Sequence, residues 1–272
     1  MKLKMMCVVS AMAVAGLGPA VLSAQGPSLR VCADPDYLPF SNQAREGFEN
    51  KIAEAVAKAL GQRLEYSWAS TRGRGGFTEF LSRTLDAKKC DAVMGLPYGN
   101  REELTTRPYY VSSYVFVFKK SKNYDIKSMD SPVLQRLKIG FEGDTPVEDG
   151  AKIRGMLSRA TVFDVGSTIG ESPATMLDAL EKGQIDVLIT WQPAVGPFLN
   201  RYPDLEVVAV PNARTLGPPE QYMFPMSMGV REGDEALKQR LDQVITGHQA
   251  ELTAILTRHG VKLYTPQDPN LR

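Results

Sequence analysis

Apolar and polar positions follow a clear order over residues 29–60. Residues 29–33 are mostly apolar and predict a short buried strand, and the two prolines in residues 34–40 then favour an exposed loop. The next apolar residues recur every four positions and predict a helix that ends before Gly61: Phe48, Ile52, Val56 and Leu60. In open α/β sheets, ligands bind at loops that follow the carboxyl ends of strands, so residues 34–40 are a candidate binding loop.

The alternation of strand and helix patterns continues along the chain. Strand patterns at residues 64–68 and 90–96 enclose a helical pattern that begins at Phe77. The resulting β-α-β-α-β order is typical of a parallel sheet covered by helices. A strongly apolar strand pattern follows at residues 114–118. A second α/β series then predicts further strands at residues 137–140, 161–163, 185–189, 205–210 and 227–230.

The order of elements predicts an α/β fold with two lobes of similar design. The chain leaves the first lobe, builds a second one and returns for two terminal helical patterns, at residues 236–245 and 250–259. We therefore expect lobe 1 to comprise residues 28–117 and 224–267, and lobe 2 to comprise residues 118–223. Because the chain crosses between the lobes twice, a hinge with a cleft beside it is expected.

The first 24 residues have the composition of a secretory signal peptide. Lys2 and Lys4 supply a charged start, a mostly apolar stretch follows, and Ser23 and Ala24 offer small residues for cleavage. We expect residues 1–24 to be removed on export to the periplasm. The alternative is an uncleaved membrane anchor.

Charge gives no indication of a nucleic-acid or lipid partner. The chain has 32 Lys and Arg, 31 Asp and Glu and a formal net charge of +1. Because Lys2 and Lys4 would leave with the signal peptide, the mature chain would carry 30 basic and 31 acidic side chains and a net charge of −1. Neither nucleic-acid binding nor stable membrane insertion is therefore expected.

Two cysteines remain after the predicted cleavage, because Cys7 lies in the signal segment. An even number of cysteines in an exported chain favours a disulfide. Cys32 lies in the first predicted strand and Cys90 at the start of the strand at residues 90–96, so the two can meet if these strands are neighbours. The alternative is a pair of free buried thiols.

Three arginines stand in loops that are expected to open on the cleft. Arg72 and Arg74 belong to a glycine-rich loop at residues 70–76, and Arg101 follows Tyr98 in the loop after residue 96. They are candidates to hold an anionic ligand or an acidic surface of a partner. The alternative is that they are solvated loop residues.

Aromatic residues later in the chain are candidates for an apolar cleft or an interface. Trp191 follows the strand at residues 185–189, and Tyr222 precedes Met223 and Phe224. Exposed aromatic and methionine side chains are enriched at binding hot spots. Core packing is the alternative for these residues.

Catalytic motifs are missing from the sequence. His248 and His259 are the only histidines, both lie in the terminal helical patterns, and the chain contains no HExxH motif. The loop sequence RGRGG lacks the Lys-Ser/Thr pair of a phosphate-binding loop. We therefore expect no catalysis, no metal site and no cofactor.

Five groups of residues resemble a known family. They are VCADP and LPFSN within residues 31–42, GFENKIA at 47–53, CDAVMG at 90–95, TTRPYY at 105–110 and SMGVR at 227–231. Together with the two α/β lobes they resemble the periplasmic solute-binding proteins, and within these the J proteins of methanol dehydrogenase clusters (MxaJ/XoxJ). The resemblance implies the two-lobed type II fold with two hinge crossings.

The resemblance also implies a function. It indicates a periplasmic accessory or maturation role, by protein contact or cleft binding, for a methanol dehydrogenase that uses pyrroloquinoline quinone (PQQ), in a calcium or a lanthanide system. In the family layout Asp34, Tyr37 and Phe40 face Asp144 and Thr145 across the cleft, which makes all five candidate binding residues. Turn chemistry for the two aspartates and core packing for Phe40 are the alternatives.

Two positions depart from the amino-acid-binding members of the superfamily. Those proteins usually carry a Thr-x-x-Arg segment that holds the ligand carboxylate, whereas this chain has tyrosine at the first position, in Tyr98-Gly99-Asn100-Arg101. Trp191 stands where an aspartate usually binds the ligand ammonium, and an indole carries no negative charge. Ordinary amino-acid binding is therefore not expected.

Two other functions remain as alternatives. A transporter-coupled receptor for a small polar or anionic solute would bind one small molecule tightly. An enzyme such as a cyclohexadienyl dehydratase uses the same fold, but the sequence offers no convincing acid/base pair for catalysis.

Overall fold

The computed structural model describes residues 27–72, 75–166, 168, 170–213 and 220–265, so the predicted signal peptide lies outside the described residues. The strands, in chain order, are β1 Ser28–Ala33, β2 Asp36–Tyr37, β3 Ser41–Asn42, β4 Arg63–Trp68, β5 Ala92–Pro97, β6 Leu104–Thr105, β7 Tyr110–Lys119, β8 Ile139–Glu142, β9 Thr161–Phe163, β10 Val187–Trp191, β11 Leu205–Ala209 and β12 Met223–Val230. The α-helices are α1 Phe48–Ala59, α2 Gly76–Leu81, α3 Pro146–Ile153, α4 Ala174–Glu181, α5 Gln192–Val195 and α6 Glu235–Arg258. Among these helices, none has the length and apolar character needed to cross a membrane.

β1 lies one strand in from the edge of the sheet in lobe 1. It pairs in parallel with β4 on one side and with β5 on the other, which confirms the parallel arrangement predicted for these three strands. β12 lies antiparallel to β5, and β6 and the first residues of β7 pair with β12. The sheet of lobe 1 is therefore mixed, because strands outside the first β-α-β-α-β series join it.

β7 runs from the sheet of lobe 1 into that of lobe 2. Residues 110–113 pair with β12, and the residues from Tyr114 onwards pair with β10 and β11. The sequence predicted only the apolar run at 114–118, because two serines interrupt the pattern ahead of it. The chain returns to the first sheet at Met223, so it passes between the two sheet regions twice.

β8 lies one strand in from the edge of the sheet in lobe 2. It pairs in parallel with β9 and β10, and β10 pairs antiparallel with β7. Apolar side chains cover both faces of this sheet, with Phe141 and Ile189 in one core and Leu180 and Leu188 in the other. Lobe 2 is thus a sheet buried between helices, as the sequence pattern indicated.

The two terminal helical patterns meet in one element, α6, which is kinked at His248 (φ −120°, ψ 17°). The segment after α6 then contacts lobe 2 through the side chain of Gln192. Its amide nitrogen donates to the carbonyl oxygen of Gly260 (3.0 Å), and its amide oxygen accepts from the backbone N–H of Lys262 (2.8 Å). Because Gln192 is buried, these two bonds form a polar contact between the lobes.

A disulfide joins Cys32 to Cys90, which confirms the predicted bridge. β1 and β5 are neighbours, and the two Cα atoms lie 5.4 Å apart, within the usual range for a bridge. Buried apolar side chains of α2 and of the helical turn after it pack around the bridge, including Phe80, Leu81 and Leu85. The bridge fastens β1 to the segment just before β5, and Cys32 lies two residues before Asp34 of the candidate binding loop.

Candidate functional site

A cleft of about 550 Å³ lies where the two sheet regions meet. Its lobe 1 wall comes from the loop after β1, the start of α1 and α2, and the end of β5, and its lobe 2 wall from the turn after β8 and the end of β10. The aromatic residues that line it are Tyr37, Phe40, Phe77, Phe80, Tyr114, Trp191 and Phe224. The acidic residues that line it are Asp34, Glu49, Glu142 and Asp144.

Asp34 is buried and hydrogen-bonded within lobe 1. Its Oδ1 accepts from the N–H of Asp36 (2.8 Å), and its Oδ2 accepts from the Ser70 hydroxyl (3.1 Å) and from the hydroxyl (2.9 Å) and N–H (2.5 Å) of Thr71. These bonds hold the loop after β1 against the loop after β4. Asp34 therefore shapes the wall of the cleft, in line with the turn chemistry considered as its alternative role.

Tyr37 and Phe40 form one aromatic wall. Their ring centres lie 4.9 Å apart, and Phe40 also packs on Phe48 of α1 at 5.3 Å. The guanidinium carbon of Arg72 lies 4.7 Å from the centre of the Tyr37 ring, and Nη1 of Arg72 donates to the carbonyl oxygen of Thr168 in lobe 2. Arg72 is only 7% exposed, so it is a buried contact between the lobes and not a solvated loop arginine.

The turn after β8 forms the opposite wall. Asp144 is exposed, has a φ of 56°, and donates its N–H to Oε2 of Glu148 (2.8 Å). Thr145 occupies the N-cap position of α3 without a capping bond from its side chain, and its hydroxyl donates to the carbonyl oxygen of Glu142 (2.7 Å). Asp144 and Thr145 both line the cleft, opposite the loop after β1.

Trp191, Tyr114 and Phe224 form a second aromatic cluster in the cleft. The ring centre of Trp191 lies 5.3 Å from that of Tyr114 and 6.0 Å from that of Phe224. The three residues come from β10, β7 and β12, the strands at the junction of the two sheet regions. Burial of these apolar rings against one another fixes the Trp191 ring in the wall.

Five of the predicted binding residues are not among the described residues that line the cleft. Arg72 contacts the lining residue Tyr37 without lining the cleft itself. Tyr98 and Arg101 are exposed in the loop after β5 and do not line it. Tyr222 is fully buried in lobe 2, where its hydroxyl donates to the carboxylate of Glu220, so core packing is its role. Arg74 lies outside the described residues.

Two carboxylates in the cleft were not predicted from the sequence. Burial raises the pKa of Glu49, near the start of α1, to about 7. Burial also raises the pKa of Glu142, the last residue of β8, to about 6, although a hydrogen bond from the backbone of Gly166 and the charge of Arg72 oppose the rise. One signal was available: Glu49 lies one turn before buried Ala53 on the inward side of α1, where a carboxylate is unusual.

Replacing Glu49 by glutamine is expected to stabilise the protein at alkaline pH. Because the pKa of the Glu49 carboxyl is about 7 in the folded protein, the folded state holds its proton more tightly than the unfolded chain does. The contribution of this group is therefore full in acid and is lost as the pH rises through its folded-state pKa. We expect Glu49→Gln to gain about 1–2 kcal/mol at about pH 8, a value reduced for partial solvent screening, and almost nothing at about pH 5.

Urea unfolding of the wild type and of Glu49→Gln at both pH values measures this difference. Glu54→Gln is the matched control, because Glu54 lies on the same helix, pairs with Lys51 at 3.1 Å and does not line the cleft. Equal stability of Glu49→Gln and the wild type at the alkaline pH would contradict the assignment of a desolvated, unpaired charge to Glu49.

The chemistry of the cleft favours binding. Within the described residues, no three His, Cys, Asp or Glu side chains are grouped so that they could hold a metal ion. The described lining contains no histidine, and the cysteine in it, Cys32, is in the disulfide. The side chains present can offer aromatic faces and negative charge to an occupant.

Comparisons with known proteins give the family. The sequence matches bacterial extracellular solute-binding proteins, family 3, over residues 29–261. It is similar to Protein MoxJ of Methylorubrum extorquens, with 30% identity over 248 residues that cover 86% of this chain and 81% of the relative. It is also similar to the crystal structure of periplasmic binding protein XoxJ from Methylobacterium extorquens AM1, with 31% identity and a TM-score of 0.67 over 87% of this chain and 99% of that chain.

A further solved structure supports the fold. MxaJ from Methlophaga aminisulfidivorans superposes with a TM-score of 0.76 over 87% of this chain and the whole of that chain, at 24% identity. The fold is therefore the two-lobed type II solute-binding fold, as expected. Because the family match spans most of the sequence, the chain belongs to family 3 of the bacterial extracellular solute-binding proteins and is an MxaJ/XoxJ-like member of it.

Proposed function

We propose that the protein is a periplasmic, non-catalytic accessory protein of a PQQ-dependent methanol dehydrogenase, and that it contacts that enzyme through its cleft. One observation carries the proposal: the cleft lacks the pair of groups that would hold a free amino acid. Trp191 stands at the ammonium position and is packed between Tyr114 and Phe224. Arg101, at the carboxylate position, is exposed outside the cleft. An aromatic cleft of this kind suits side chains of a protein partner.

Similarity supports the link to methanol oxidation and the location. MoxJ, XoxJ and MxaJ are among the similar proteins, and the motifs resemble the J proteins of methanol dehydrogenase clusters. The family consists of extracellular solute-binding proteins, which supports a periplasmic location. The described lining contains no histidine and no free cysteine, which supports a non-catalytic role.

Exposed apolar residues beside the cleft support a protein partner. Leu38 and Phe77 are each 39% exposed, and Tyr98 is 54% exposed. Leu38 adjoins the lining residue Tyr37, and Tyr98 adjoins the lining residue Pro97. Such side chains extend the aromatic surface from the cleft onto the rim, where a protein could cover them.

We also propose that residues 28–117 with 224–267 and residues 118–223 act as two lobes that move about the crossings. The change of strand pairing within β7 at Tyr114 supports this, because it places the first crossing beside the cleft. Closure about this position would change the separation of the two aromatic walls.

Binding to purified methanol dehydrogenase from the same organism tests the proposed function. Calorimetry detects association, and dye-coupled alcohol oxidation detects any change in activity, with the calcium and the lanthanide forms of the enzyme examined separately. Saturable association with either form is the expected result. If neither form binds while a small polar or anionic solute shifts the unfolding temperature, the protein is instead a transporter-coupled receptor.

Trp191→Ala is expected to weaken binding to the dehydrogenase by at least about tenfold, because a large ring in the cleft wall is lost. Trp68→Ala is the matched control, since Trp68 stacks on Tyr66 at 4.4 Å and does not line the cleft. Calorimetry of both variants, after thermal unfolding has shown that both are folded, measures the effect. If Trp191→Ala binds the dehydrogenase as tightly as the wild type does, the cleft is not the surface that contacts the enzyme.

A further inference from the structure

The charged residues in the described lining of the cleft are all acidic. The lining contains four acidic residues and, among the described residues, no Lys, Arg or His. Asp34 accepts four hydrogen bonds from its own lobe, and Asp144 is exposed at the edge. Glu49 and Glu142 therefore supply the negative charge inside the cleft, one from each wall.

Both carboxylates are seated against glycines. A Cβ added to Gly95 would lie closer than 3.0 Å to Oε1 of Glu49, and one added to Gly166 would lie equally close to Oε1 of Glu142. The missing side chains at these two positions make room for the carboxylates beside the cleft. An alanine at either position would displace the carboxylate from its seat.

The two carboxylates differ in how well they are compensated. Glu142 has the charge of Arg72 nearby and accepts a backbone hydrogen bond from Gly166. No hydrogen bond or ion pair from the described residues reaches the carboxylate of Glu49. This carboxylate is therefore both desolvated and without a partner among them. A buried anion without a counter-ion is costly, so a positively charged occupant would gain from approaching it.

The aromatic rings select for the same charge. The faces of aromatic rings carry negative potential and attract ammonium and guanidinium groups, most strongly for tryptophan. Trp191 and Phe40 line the same cleft as Glu49 and can offer their ring faces to a cation. The nearby Tyr37 ring already has the guanidinium of Arg72 over its face. An anionic occupant would meet both the carboxylates and the ring faces unfavourably, and a neutral one would leave Glu49 without a counter-ion.

We propose that the cleft binds a cationic group on an apolar body, an alkylammonium or a guanidinium such as a lysine or arginine side chain presents, with Glu49 as its counter-ion. The proposal rests on the proposed function only because it concerns the same cleft. If the occupant belongs to a partner protein, the proposal assigns it a basic side chain flanked by apolar side chains. It differs from amino-acid binding because the cation requires no accompanying carboxylate.

Three probes with one apolar body and different head groups test the proposal on the wild-type protein. Calorimetry compares phenethylammonium, phenethyl alcohol and phenylacetate. We expect the ammonium probe to bind at least about tenfold more tightly than the alcohol and phenylacetate not to bind. Equal affinity for the ammonium and the alcohol, or failure of all three to bind, would overturn the proposal without bearing on whether the dehydrogenase binds elsewhere on the protein.

Variants identify the counter-ion. Glu49→Gln is expected to abolish the preference for ammonium over alcohol, and Glu54→Gln, on the same helix but outside the cleft, is expected to keep it. If Glu49→Gln keeps the full preference, Glu49 is not the counter-ion. Because the head-group comparison uses the wild type, the proposal stays testable even if Glu49→Gln does not fold.

A peptide pair distinguishes the two sources of the cation. Acetyl-Phe-Lys-amide is compared with acetyl-Phe-norleucine-amide, which has a similar body without the charge. Tighter binding of the lysine peptide than of phenethylammonium indicates a protein segment, and the reverse indicates a free organic cation. A lysine peptide that binds no better than its norleucine counterpart would count against the proposal in either case.

Discussion

Replacing Cys32 and Cys90 together by alanine is expected to lower the free energy of unfolding by about 3–4 kcal/mol. The bridge joins residues 58 apart in sequence, so its removal greatly enlarges the conformational freedom of the unfolded chain. In the folded protein it links β1 to the segment just before β5, and both thiol positions are buried among apolar side chains. The variant also loses the contacts of two buried sulfur atoms, which adds to the entropic effect.

Urea unfolding with and without a reductant measures this loss. The reduced wild type is the control for the substitution itself: it lacks the bridge but keeps both buried sulfur atoms, so it should unfold at a somewhat higher urea concentration than the double alanine variant. The oxidised wild type should unfold at a clearly higher concentration. A difference of less than about 1 kcal/mol between the oxidised and reduced wild type would contradict a stabilising role for the bridge.

The elements with strong periodicity could be predicted from the sequence. Phe48, Ile52 and Val56 recur at helical spacing and are buried on one face of α1, and the apolar runs of β1 and β5 became neighbouring parallel strands. The pairing of Cys32 with Cys90 followed from that neighbourhood. These predictions succeeded because they depend on local spacing and on the usual order of strands in α/β sheets.

The chemistry of the cleft could be predicted only in part. Trp191 and Phe40 line it as the family layout implies, but Tyr222 is in the core because its hydroxyl is satisfied by Glu220 two residues away. Glu49 was missed because the sequence showed it as an ordinary polar residue of an amphipathic helix. Its burial depends on the loop after β1 and on Gly95, which are distant in sequence and close only in the folded chain.

Gly47→Ala is expected to lower the free energy of unfolding by about 2–3 kcal/mol and to disturb the aromatic wall of the cleft. A Cβ at Gly47 would lie closer than 3.0 Å to the carbonyl group of Phe40 and to the backbone nitrogen of Ser41. Backbone cannot move aside as the end of a flexible side chain can. The loop would also have to keep its hydrogen bonds to the start of α1, where the N–H groups of Phe48 and Glu49 each donate to a loop carbonyl at 3.0 Å.

Displacement of the loop after β1 by Gly47→Ala would affect binding as well as stability. Phe40 stacks on Tyr37, so a loop pushed away from α1 moves both rings relative to Glu49 and Trp191. Gly47→Ala should therefore bind phenethylammonium more weakly than the wild type while remaining folded at low temperature. Gly247→Ala is the control, because a Cβ there meets no atom within 4 Å, and its stability should change by less than about 1 kcal/mol. Wild-type stability and affinity in Gly47→Ala would show that the contact between this loop and α1 does not set the shape of the cleft.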